Sequence, residues 1–132
     1  MGNIKSKIIS AGAAASAFVG WLDGGWDNYL RALLILVVID YLSFVVRDIS
    51  NGRLSSDSRI RGICKKVFIF VIVGVGHTVD MYLIGEGNVF RNVVIFFFIS
   101  NEGISVLENA ADIGLPIPAK LKDWLDSFVE RK

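Results

Sequence analysis

The sequence predicts an all-α integral membrane protein with three to four transmembrane helices, four favoured, and a C-terminal amphipathic helix at the membrane surface. Three observations carry that prediction. Hydrophobic residues make up 53% of the 132, and the mean hydropathy of +0.54 is above that of a soluble domain. The apolar residues gather in runs close to the length a helix needs to cross a bilayer. The prolines are Pro116 and Pro118, so the chain before them is free of the strongest helix breaker. A chain of this length makes one domain, 1–132. Its formal net charge of +1 offers no basic excess for nucleic acid, and the single Cys64 cannot form an internal disulfide.

The first element, 8–22, is short for a span. Lys5 and Lys7 precede IISAGAAASAFVGWL, below the roughly twenty residues a spanning helix uses. Three readings compete: a cleaved leader with Ala15-Ser16-Ala17 as its site, an interfacial helix lying flat, and a short span packed on a neighbour. Gly12, Ser16 and Gly20 lie four apart, the small-residue pattern that lets helix backbones approach. Gly24 and Gly25 end this element, and Trp21 and Trp26 beside the turn are candidate membrane-surface anchors.

Residues 29–46 form the second helix, about 27 Å long at helical rise. The following stretch, Arg47–Lys66, is basic and serine-rich and reads as a solvated loop; the positive-inside rule makes it cytoplasmic. Residues 67–83 and 90–107 are the next membrane helices, joined by a turn at Gly85-Glu86-Gly87. The tail, 119–131, carries Leu121, Trp124, Leu125, Phe128 and Val129 on one helical stripe, with Trp124 as its anchor. With Lys5 and Lys7 also on the cytoplasmic side, four crossings leave both termini in the cytoplasm.

Polar residues inside such a chain carry the functional signal. Asn101, Ser105, Glu108 and Asp112 are spaced four, three and four apart, with Glu102 and Asn109 flanking them, so all six fall on one side of a helix. Lipid does not accept that side, so it meets other helices, lines a wet lumen, or projects into the cytoplasm. So few helices cannot enclose a lumen alone, and a lumen therefore requires self-association. Asp40, His77 and Asp80 are ionisable groups within or near the apolar runs, and His77 and Asp80, three apart, can pair. They suit either a proton relay or a satisfied interhelical contact. Nothing in the spacing indicates a metal site, a cofactor or a catalytic nucleophile, and no enzyme is expected.

The order of short motifs resembles the toxin-secretion/phage-lysis holin family of Gram-positive phages and clostridial toxin loci. Asn101-Glu102-Gly103-Ile104-Ser105, Glu108-Asn109 and Gly114-Leu115-Pro116-Ile117-Pro118 are similar to that family's signature. Gly24-Gly25-Trp26-Asp27, Asp40-Tyr41, Leu54-Ser55-Ser56, Gly62-Ile63, Lys65-Lys66, His77 with Asp80, and Arg91-Asn92 extend the resemblance backwards. Phe44 departs from it, standing where the family often has glycine four residues after the intramembrane aspartate. The resemblance implies a homo-oligomer in the membrane lipid of the bacterial host. It would open lesions when the membrane potential falls, releasing an endolysin or, in the toxin loci, a toxin. Two other classes stay open on residues alone: a non-permeabilising scaffold subunit and a small proton-coupled transporter.

Overall fold

The computed structural model describes residues 2–121 together with Asp123 and Ser127, and these are helical or in turns, with no strand among them. Among the described residues four long helices follow in order: α1 (Gly2–Leu22), α2 (Asn28–Ser50), α3 (Ser56–Thr78) and α4 (Val89–Ile113). A π-helical turn, Val79–Ile84, prolongs α3. The stripe expected over 119–131, with Trp124 as its anchor, lies mostly outside the described residues.

Each boundary has a local cause. Asp27 caps α2, its carboxylate accepting the Leu30 N–H at 3.0 Å. Ser55 and Ser58 form a reciprocal capping box at the start of α3. That cap starts the helix eleven residues before the apolar run at Val67, so only Asn51–Ser55 of the basic stretch is turn. The serines expected to mark irregular backbone are the helix start. At the end of α4, Gly114 adopts φ 102°, and the Leu115 N–H reaches the Ala110 carbonyl at 3.1 Å, closing a left-handed cap before the prolines.

α2, α3 and α4 form the bundle, with α2 and α4 sharing the most extensive interface and α2 and α3 a slight one. All three, α3 with its π-helical extension, are long and apolar enough to cross a membrane. Their small core is Leu30, Leu33 and Val37 from α2, Ile69 and Val73 from α3, and Ile95 from α4. The spacings of three and four residues put each set on one helix face. The opposite faces are oily rather than polar: Ile35 is 59% exposed and Phe97 64%. This is the reverse of a water-soluble bundle and suits hydrocarbon as solvent.

α1 stands apart, with residues 3–18 exposed along its length. Gly12 has open space around it, while at Gly20 an added Cβ would lie 2.8 Å from the Trp26 ring. Within this chain it is the Trp26 indole that lies against Gly20. Trp26 donates its ring N–H to the Ser16 carbonyl at 2.8 Å, whereas Trp21 is 73% exposed. The closest helix approaches occur on α3: a Cβ at Gly76 would sit 3.0 Å from the Arg91 Cα, and one at Gly74 would strike Leu22.

Candidate functional site: two buried polar nodes

The bundle buries its charges in two nodes at different depths. The first joins α2, α3 and α4 toward the Asn51–Ser55 turn. Lys66 of α3 bonds Asp40 of α2 and both carboxylate oxygens of Glu102 on α4, at 2.9 and 2.7 Å. Asp40 and Glu102 are almost fully buried. Asn109, one helical repeat beyond Glu102, donates to Asp40 at 3.1 Å and to the Ser43 hydroxyl at 2.8 Å. Its carbonyl oxygen accepts from Arg47 at 3.0 Å, so one amide joins a carboxylate to a guanidinium. Arg47 also pairs with Asp48 at 3.2 Å and Asp112 at 3.6 Å, and stacks over Phe44 at 5.2 Å. Two carboxylates thus face one ammonium within the bundle, and Asn109 joins this cluster to Arg47.

The polar side of α4 divides between inside and outside. Glu102 and Asn109 are buried in the node, Ser105 and Glu108 are half-buried, and Asn101 and Asp112 are exposed. At about 100° per residue the six positions spread over an arc wide enough to straddle the helix–helix seam.

The second node gathers around Arg91, 1% exposed at the start of α4. Its guanidinium donates to the Asp23 and Gly25 carbonyls, to both oxygens of Asp27 at 2.8 and 3.1 Å, and to the Asn92 side chain. The turn between α1 and α2 is thereby folded around a side chain from α4. Asp80, on the π-helical turn, accepts the Phe90 and Arg91 N–H groups at 3.0 and 2.9 Å. It caps α4 from a neighbouring element, a role Asn88 leaves unfilled. Asp80 therefore does not pair with His77, whose buried Nδ1 has no partner among the described residues. His77 instead faces the turn at Gly24. A Cβ there would lie 2.6 Å from His77 Nδ1, and Gly24 has φ 87°. Gly24→Ala is expected to cost about 1–3 kcal/mol, measured as a lower unfolding midpoint in detergent.

Asp23 is the strained member of this node. Its side chain is fully buried, and neither carboxylate oxygen has a hydrogen-bond partner among the described residues. Burial pushes its carboxyl up to about 7, against the opposing pull of Arg91. Asp27, bonded to the same arginine, is held below the usual carboxylate range. Protonated Asp23 is favoured by the fold, so its stabilisation is complete below the ordinary value of 3.8 and lost as pH rises through about 7. Asp27 acts only below that window, where acid removes its bond to Arg91. Stability should therefore fall between about pH 4 and pH 7, by at most about 4 kcal/mol. Asp23→Asn should flatten that slope in thermal unfolding measured across the range.

The partners missed from the sequence are Lys66, assigned to the loop, Arg91, assigned to a helix start, and the Asp23–Asp27 turn. Lys66 immediately precedes the third apolar run, and Arg91 sits between Phe90 and the fourth. A charge at the edge of an apolar run is the one local signal that could have flagged them.

Three helices long and apolar enough to cross a membrane, with Asp40, Asp80, Arg91 and Glu102 turned inward, define a multi-pass helical membrane protein. The bacteriophage holin family model matches residues 17–130, and the chain belongs to that family. A "probable holin" of Bacillus phage phi105 is 35% identical over 76% of this chain and 74% of its own length. An uncharacterised 14.9 kDa protein in the nagH 3' region of Clostridium perfringens is 39% identical over 98% of this chain and 95% of its own. The uncharacterised Lmo0128 of Listeria monocytogenes is 38% identical, covering 85% and 79%. No solved structure matches. Family membership places the chain in the cytoplasmic membrane and in phage lysis.

Proposed function

We propose that copies of this chain accumulate in the bacterial cytoplasmic membrane, associate, and open lesions through which an endolysin reaches the cell wall. The observation that carries this reading is the node of Asp40, Lys66, Glu102 and Asn109. It is a set of charges that one bundle can hide from lipid, at the seam where α2 and α4 meet. Separating the helices at that seam, and exchanging contacts between copies, would turn Glu102, Ser105 and Asn109 toward water. Glu108, half-buried beside them, would follow. Hidden charges also supply a trigger, since moving one across the membrane potential is worth about 2.3 kcal/mol per 100 mV.

In the arrangement we favour, the Asn51–Ser55 turn and its flanking basic residues lie in the cytoplasm, α1 crosses as a fourth span, and both termini are cytoplasmic. The exposed apolar length of α1 then supplies a surface for lipid or for another copy, with Gly12 and Ser16 free to meet it.

Expression of the chain alone in bacteria tests the reading. The expected result is membrane insertion, a delay, then arrested growth with collapse of the potential. A scaffold subunit would give insertion without collapse, and a transporter would give proton flux without killing. The variant Glu102→Leu leaves Lys66 paired one-to-one with Asp40 and should insert normally while losing permeabilisation. Unchanged killing by it would remove Glu102 from the lesion wall.

A further inference from the structure

α2 and α3 touch little, and what lies between them is amphipathic. Toward the Asn51–Ser55 turn there is a cavity of about 440 Å³ whose lining includes Arg47, Arg61, Lys65 and Lys66 together with the carboxylates of Asp40 and Asp57. Asp40 is already held by Lys66 and Asn109. Arg61 and Lys65, four apart on one face of α3, form no ion pair among the described residues. The cavity therefore carries a surplus of positive charge. Directly below it, toward the middle of the bundle, is a groove of about 240 Å³ lined by Val37, Val38, Ile63, Val67 and Phe70. Tyr41 and Lys66 line both hollows, so the cavity and the groove adjoin at these two side chains.

We propose that this cleft binds one anionic phospholipid, its phosphate between Arg61 and Lys65 and an acyl chain along the groove between α2 and α3. A soluble anion would use only the upper hollow, and a purely apolar ligand only the lower. A phospholipid fits both, in the order a membrane presents them: headgroup at the basic end, chain toward the centre. This inference rests only on the three membrane helices and holds whether or not the chain opens lesions.

The test uses the full chain purified in detergent and mixed with phosphatidylglycerol or phosphatidylcholine of identical acyl chains, the retained lipids being counted by native mass spectrometry. The expected result is one tightly retained phosphatidylglycerol per chain, preferred at least tenfold over phosphatidylcholine. Arg61→Gln with Lys65→Gln, both exposed and so compatible with folding, should reduce the preference to twofold or less. Val67→Trp should fill the groove and lower retention of both lipids, with Val38→Trp as the equivalent from α2 should the first fail to fold. Equal retention of the two lipids, or a preference that survives the double glutamine variant, would overturn the proposal. So would displacement of the lipid by inorganic phosphate, or dimers that form in its place.

Discussion

Arg91→Met is expected to lower stability by about 3–5 kcal/mol, enough to keep folded protein from accumulating. The methionine fills much of the space but donates nothing. Asp27 loses its bidentate partner, the Asp23 and Gly25 carbonyls lose their donors, and the cationic neighbour that steadies the buried Asp23 disappears. Arg91→Lys should recover little, because one ammonium cannot reproduce a planar fork serving both a carboxylate and two carbonyls. The measurement is the yield and helicity of purified chain, followed by its unfolding midpoint in detergent. A variant of unchanged midpoint would show that the turn holds itself without α4.

Lys66→Met should be nearly as damaging, by about 3–5 kcal/mol, for a different reason. It leaves Asp40 and Glu102 together without the cation between them, and two buried carboxylates repel. Rescue separates this cause from lost packing. Adding Asp40→Asn and Glu102→Gln to Lys66→Met removes the charges with little change in shape, and should restore most of the midpoint. If the triple variant is as unstable as the single one, the loss came from the lysine's aliphatic stem and not from electrostatics.

The apolar helices were legible in the sequence because lipid simplifies the rules: long oily runs, glycine turns and a basic connecting stretch leave few alternatives. The start of α3 was harder. Ser55 and Ser58 look like loop composition, and only their reciprocal bonding makes them a helix cap. The ionisable residues could be recognised as unusual but not matched with partners. His77 and Asp80 share a helix face, yet one turns to the α1–α2 turn and the other to the first amides of α4. Asp40 finds its cation 26 residues away, and Arg91 its carboxylate 64 residues away. Helical periodicity relates residues within one element and is silent about which faces meet. For the same reason the spacing from Asn101 to Asp112 could define a polar side without dividing it into buried and exposed parts.

Lys66 on α3 and Asp80 on its π-helical extension mark the two polar levels, and they are fourteen residues apart. At helical rise that is about 21 Å, so both levels fit inside the roughly 30 Å oily interior of a bilayer. Each level is walled from hydrocarbon by the exposed apolar side chains around it, and its charges must be neutralised within the bundle. A helix that rotates or withdraws carries a carboxylate or guanidinium toward the acyl chains, so partial opening is costly until water or another copy receives that group.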